Sequence, residues 1–165
     1  MKSIIIMGSA RGDGNSHLIA QTIQEVYPAD RVDLHAMTIG PFTYTHEHSD
    51  DEFIPLIKRL LTYDTLLFLT PVYWYSMSGL MKTFFDRLTD CLQIEKELGR
   101  QLKGKSMICV ACGSEPTPVE GYFIPFENTA EYLGMNYLGG LHTWKSSEEI
   151  DPVVVSKINA FFTAL

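Results

Sequence analysis

The sequence predicts an α/β fold, a three-layer sandwich around a five-stranded parallel sheet. Three observations carry that prediction. Short apolar runs alternate with longer segments of helical periodicity along the whole chain. Most of the runs are apolar throughout, as strands covered on both faces are. No repeat, low-complexity segment or linker interrupts the 165 residues, so residues 1–165 read as a single domain.

The elements follow in order. Ser3-Ile4-Ile5-Ile6-Met7 is a buried strand, and the turn residues Gly8 to Gly14 end it. A helix is expected from about Asn15 to Val26, with Leu18, Ile19, Ile23 and Val26 on its apolar face and Tyr27-Pro28-Ala29 beyond it. Arg31 to Ala36 is a more polar strand, suited to a sheet edge. A polar loop runs through His46, His48, Asp50 and Asp51 to a helix from about Glu52 to Leu61. Thr65 to Leu69 is the third strand, stopped by Pro71. Ser78 suits an N-cap for a helix carrying Met81, Phe84, Phe85, Leu88 and Leu92 at helical spacing. Met107 to Cys112 is the fourth strand, Pro125 to Leu133 a weaker helix, and Asn136 to Leu141, extending toward Trp144, the fifth strand. Asp151-Pro152 pairs an N-cap with a first-turn proline for a last helix ending at Phe162.

Right-handed crossovers leave two common doubly wound layouts. Five strands at this length favour the flavodoxin-like order 2-1-3-4-5. That order makes neighbours of the loops after strands one, three and four, at the crevice where ligands bind in open α/β sheets.

Composition narrows the function. Lys plus Arg number 13 against 20 Asp plus Glu, a net charge of −7, which disfavours nucleic acid and anionic membranes as partners. Hydrophobic residues make up 45%, which disfavours disorder. The chain shows no signal-peptide pattern and no apolar stretch long enough to span a bilayer, so it reads as soluble and cytoplasmic. The three cysteines are too few and too oddly placed for a secreted disulfide framework. Cys109 and Cys112 form a C-x-x-C inside a strand, whereas a redox dithiol of that spacing opens a helix.

Three loops carry the chemistry. Gly8 to His17 joins a buried strand to a helix N-terminus, where free N–H groups and the helix dipole attract an anion. Its glycines let the backbone wrap a phosphate, Ser9, Asn15 and Ser16 add neutral donors, and Arg11 adds a fixed charge. A dinucleotide fingerprint is incomplete, because His17 stands where the third glycine belongs. Gly99 to Ser106 spells G-x-x-x-x-G-K-[ST], but a helical segment precedes it and a strand follows, the reverse of a nucleotide-binding P-loop. In the second loop, Thr70 to Gly79, three aromatics in a row (Tyr73, Trp74, Tyr75) suit either a flat conjugated ligand or a dimer interface. In the third, the small residues Cys112, Gly113 and Ser114 let a ring edge approach the backbone.

These motifs resemble those of the NAD(P)H-dependent FMN reductase family. Gly8-Ser9-Ala10-Arg11 through Gly14-Asn15-Ser16 is similar to its phosphate loop. Pro71, Tyr73 and Ser78, then Lys82, Asp86 and Arg87, resemble its P-x-Y-x-x-x-x-S and K-x-x-x-D-R signature. The resemblance implies bound FMN, NADPH or NADH as electron donor, and a small-molecule electron acceptor such as a quinone or flavin. It also implies a homodimer or homotetramer. Ser9, Arg11, Gly14, Asn15, Ser16 and His17 would hold the phosphate. Pro71, Val72, Tyr73, Trp74, Tyr75, Ser76 and Met77 would line the ring, with Cys112, Gly113 and Ser114 on its other edge. No side chain need act as acid or base, and His142 reads as structural.

Two departures stand out. Tyr75 occupies a position where many relatives carry a small residue. After the second strand, where a related branch carries cysteines for an iron–sulfur centre, this chain has Tyr44, His46 and His48. His46-Glu47-His48 reads as a solvated loop rather than a metal site. A flavodoxin-like electron carrier without NAD(P)H turnover is the principal rival, and a flavin-free scaffold of the same fold is a second. A low-molecular-weight phosphatase would need a cysteine in the first loop, which has none.

Overall fold

The computed structural model describes residues 1–145 and 149–165. Its strands are β1 (Ser3–Met7), β2 (Asp30–Asp33), β3 (Thr65–Pro71), β4 (Ser106–Gly113) and β5 (Asn136–Trp144). Its α-helices are α1 (Asn15–Val26), α2 (Phe53–Leu60), α3 (Gly79–Gln93), α4 (Lys96–Arg100), α5 (Ile124–Leu133) and α6 (Pro152–Thr163). The sheet order is β2-β1-β3-β4-β5 and every pairing is parallel. This is the predicted flavodoxin-like order.

Strand periodicity sorts the core into two layers. Ile4, Ile6, Leu66, Phe68, Met107 and Cys109 pack with Phe53 and Ile57 of α2, Met81 and Phe84 of α3 and Phe126 of α5. Ile5, Met7, Leu67, Leu69, Ile108 and Val110 pack with Ile19 and Ile23 of α1 and Val154 and Ile158 of α6. The consecutive isoleucines of β1 thus serve opposite faces, which is why the run is apolar without alternation. Cys109 and Cys112 fall in different layers, on opposite faces of the sheet. Burial pushes the Cys109 thiol well up and the Cys112 thiol to about 11. A dithiol couple between them is excluded by geometry.

Two strand ends differ from expectation, each for a local reason. β2 ends at Asp33, and Leu34–Ala36 forms a single 3-10 turn instead of more strand. Asp33 pairs with Met7, the last residue of β1, so an edge strand extended further would have no partner. β3 runs through Pro71, which pairs with Cys112. Leu69 faces β1 by accepting the Gly8 N–H, and Val72 faces β4 by donating to the Cys112 carbonyl. Pro71 therefore faces the side where β1 has already ended, and its missing N–H costs the ladder nothing. Val26 and Leu92, expected on apolar faces, lie exposed near the ends of their helices. The caps follow the sequence, with Ser78 and Asp151 accepting from the N–H groups of Met81 and Val153. The P-loop-like run has a different use: Lys105 Nζ donates to the carbonyls of Leu61 at 2.8 Å and Tyr63 at 2.6 Å, fastening α2 to the strand ends.

The long segment between β2 and α2 is held by one buried cation. Arg87 on α3 donates through Nε to Asp90 at 2.6 Å. Its Nη1 reaches Asp51 at 2.5 Å and the Gly40 carbonyl at 2.9 Å. Its Nη2 reaches Asp51 at 3.2 Å and the His48 carbonyl at 3.1 Å. These contacts match the five N–H donors of a guanidinium, whose face covers the Phe53 ring. His46 Nδ1 lies 2.8 Å from the second Asp90 oxygen. His46 and His48 are half-buried and tied down, so this part of the loop is not simply solvated. Burial works to raise the Asp51 carboxyl, but hydrogen bonds from Arg87 and from the Phe53 and Gly40 N–H groups outweigh it and hold the carboxyl below its ordinary value.

Removing one partner of a buried pair strands the other, so Arg87→Ala is expected to cost about 3–5 kcal/mol in urea unfolding. Because the folded-state value of Asp51 is depressed, its contribution is present above the unfolded carboxyl range and lost as pH falls. Asp51→Asn should therefore flatten the loss of stability below about pH 4. An acid limb unchanged in that variant would rule the assignment out.

Candidate functional site

The strand order brings three loops together at the carboxyl edge of the sheet, and short contacts fix their spacing. Gly8 N–H donates to the Leu69 carbonyl at 2.9 Å, and Val72 N–H to the Cys112 carbonyl at 3.0 Å. Ser78 Oγ donates to the Gly8 carbonyl, while the Ser78 N–H donates to Thr70 Oγ1 at 3.1 Å. Only glycine fits at position 8, since a Cβ there would lie 2.9 Å from Cβ of Met81.

A cleft of about 220 Å³ opens between these loops. Ser9, Arg11, Gly14, Asn15 and Ser16 line it from the first loop. Pro71, Val72 and Tyr73 line it from the second, and Cys112, Gly113 and Ser114 from the third. Gly14, the N-cap of α1, brings no side chain to the first turn; the His17 N–H donates to the Gly14 carbonyl at 3.0 Å, and the N–H groups of Asn15 and Ser16 are left for a ligand. The Arg11 side chain is exposed and only loosely opposed by Asp13, at 3.9 Å. The Asn15 amide also donates to the Lys145 carbonyl at 3.3 Å. Cys112 is a neutral thiol in the cleft wall, raised by burial against weaker hydrogen bonds with Ser16 and Thr143.

The remaining expected residues lie elsewhere. His17 points toward β2, its Nδ1 3.2 Å from Arg31 Nη1. A ring nitrogen facing a guanidinium must accept, so this histidine is engaged away from the cleft. Met77 is buried in the core beneath the loop. Ser76 lines neither cavity and closes a tight turn. Its N–H donates to the Tyr73 carbonyl at 3.1 Å, and the Tyr73 N–H donates back at 2.9 Å. The central residues of that turn, Trp74 and Tyr75, have φ of 47° and 66°. Two successive left-handed residues make the reversal of a primed hairpin turn, which ordinarily takes Asn-Gly. Bulky side chains there are strained.

Trp74 and Tyr75 line a second, larger cavity of about 580 Å³ that shares Val72 and Ser114 with the cleft. Its other walls are Glu115, Thr117, Pro118, Val119, Glu120 and His142. None of these six is singled out as a site residue by the sequence. Only their place after β4, and His142 near the end of β5, could have pointed to them. His142 Nε2 donates to the Glu115 carbonyl at 2.9 Å, which fixes its tautomer and ties the third loop to β5.

Comparison with known proteins identifies a family and a fold. Residues 1–139 match the family model described as NADPH-dependent FMN reductase. YwqN of Bacillus subtilis (strain 168), which carries the name of an NAD(P)H-dependent FMN-containing oxidoreductase, is 28% identical over 149 residues, 84% of this chain and 82% of its own. Among solved structures, the Trp repressor binding protein of Bacillus subtilis superposes with a TM-score of 0.78 at 23% identity over 97% of each chain. An FMN-dependent NADH-azoreductase of Bacillus anthracis in complex with FMN superposes with a TM-score of 0.70 at 13% identity, over 99% of this chain and 97% of that one. At these identities the structural matches speak for the fold.

The strained turn makes a prediction independent of any ligand. Glycine in an ordered backbone usually costs about 0.5–1 kcal/mol. Relief of left-handed strain outweighs that at position 75, so Tyr75→Gly should raise unfolding free energy by about 0.5–1 kcal/mol. A destabilised variant in urea titration would contradict the turn geometry.

Proposed function

The chain belongs to the NADPH-dependent FMN reductase family, and from that premise we propose that its cleft holds FMN and that its larger cavity admits nicotinamide and acceptor by turns. The observation that carries this reading is the convergence of Ser9, Arg11, Gly14, Asn15 and Ser16 with Pro71 to Tyr73 and Cys112 to Ser114 around one cleft. Its donor set fits a phosphate monoester, with free N–H groups at a helix start, two hydroxyls and one guanidinium. The adjoining walls fit a conjugated ring, with small residues on one side and aromatic residues on the other.

Bound FMN supplies two-electron chemistry, taking hydride from NADPH or NADH and yielding electrons to a quinone, flavin or similar small molecule. The protein's own task is placement. Arg11 and the first turn of α1 neutralise the phosphate. Tyr73 flanks the cleft, while Trp74 and Tyr75 narrow access to the larger cavity. No side chain is asked to transfer a proton. Trp74 is 93% exposed and Tyr75 76% exposed, more apolar ring than a lone chain ordinarily leaves in water, which supports a homodimer or homotetramer.

The purified protein should be yellow, absorbing near roughly 450 nm, and one nicotinamide should bleach it without oxygen. Failure of both NADPH and NADH to do so would favour the electron-carrier reading. Arg11→Ala should weaken FMN binding to the apoprotein by about 1.5–3 kcal/mol, read from quenching of flavin fluorescence. Trp74→Ala should alter either flavin affinity or sedimentation, and a variant unchanged in both would deprive that side chain of both roles.

A further inference from the structure

We propose that the larger cavity selects its electron acceptor by charge, taking planar aromatic molecules that are neutral or cationic and turning away anionic ones. This rests on the reading of that cavity as the place where acceptors bind. Its walls combine the rings of Trp74 and Tyr75 with the apolar Val72 and Val119, a lining that accepts a flat conjugated molecule. Two carboxylates, Glu115 and Glu120, stand in the same wall. Among the described residues no lysine or arginine lines it. The arginine of the adjoining cleft, Arg11, lines that cleft and not this cavity, and the phosphate of a bound flavin would engage it there.

The two cavities therefore carry opposite electrostatics a few residues apart. One presents N–H groups and a guanidinium, and the other presents carboxylates and aromatic faces. Two like charges in the wall of such a site repel an anion while it is still losing water, and aromatic faces add attraction for a cation. The reacting end of a reduced nicotinamide is uncharged, so the same wall sorts acceptors without opposing the donor. Free FMN carries a phosphate and falls in the disfavoured class, whereas riboflavin, with the same ring, does not.

The test uses FMN-loaded, oxidised protein, in which no electrons move, so it stands apart from any failure of nicotinamide to reduce the flavin. Binding of azobenzene, its para-sulfonate and its para-trimethylammonium derivative is measured by quenching of tryptophan fluorescence and by calorimetry. At low ionic strength the neutral and cationic compounds should bind about tenfold or more tighter than the sulfonate. Glu115→Gln combined with Glu120→Gln should bring the three within about twofold of one another, and about 1 M salt should do the same in the unaltered protein. Equal affinities in the unaltered protein, a gap that survives the double substitution, or no binding of any of the three would overturn the proposal. Riboflavin and free FMN, offered as acceptors to photoreduced protein, should separate in the same direction.

Discussion

The geometry of the cleft depends on one buried hydroxyl. Ser78 Oγ donates to the carbonyl of Gly8 and accepts the Met81 N–H, while its own N–H donates to Thr70. One residue thus joins the end of β1, the end of β3 and the first turn of α3. Parallel strands alone set the spacing of backbones, not of the loops that leave them. The Ser78 contacts carry that spacing past the end of the ladder. They hold the phosphate-type loop against the aromatic loop, and Gly8 is the only residue slim enough to let them form. This supplies a physical reason for a serine seven residues after Pro71.

A second anchor on the same helix acts on a different segment. Arg87 lies nine residues beyond Ser78 and fixes the irregular stretch before α2 through Asp51 and the carbonyls of Gly40 and His48. A stretch with so little secondary structure would otherwise leave many backbone groups to find partners singly. Burying a guanidinium is worthwhile there only because every donor finds an acceptor, and removing one partner exposes the full desolvation cost. α3 thereby fixes two regions at once. Its start sets the cleft, and its middle sets the flank beside β2.

What could be read from the sequence, and what could not, divides along the range of the interactions. Strand runs, helix caps at Ser78 and Asp151 and the parallel order follow from local patterning and from the handedness of crossovers. The convergence of the three loops follows from that order, so most of the cleft lining is legible from residues scattered between Ser9 and Ser114. The role of Arg87 is not legible, because apart from Asp90 one turn along its own helix its partners lie 36 to 47 residues away in a loop with no periodicity. His17 looks like a phosphate donor by position, but the turn of α1 directs it toward Arg31. Met77 looks like part of the aromatic loop, yet the reversal at Tyr73–Ser76 drives it into the core. The end of β2 depends on where its only neighbour stops, which no property of β2 itself records.

The turn at Trp74–Tyr75 shows how these anchors permit strain. Val72 is tied to Cys112, Tyr73 and Ser76 are tied to each other, Met77 is buried and Ser78 is capped. Both ends of a four-residue reversal are therefore fixed before the turn itself is considered. Two residues must close it, and the right-handed twist of the flanking chain demands the left-handed region for both. Asn-Gly would close it at little cost but would leave the cavity without aromatic walls. Trp and Tyr supply those walls, and the strain persists because neither end can move to relieve it. The same separation of demands explains why a chain of net charge −7 can carry an anion-receptive cleft. Helix-end dipoles and one guanidinium set the local field there, and among the described residues no carboxylate lines the cleft itself.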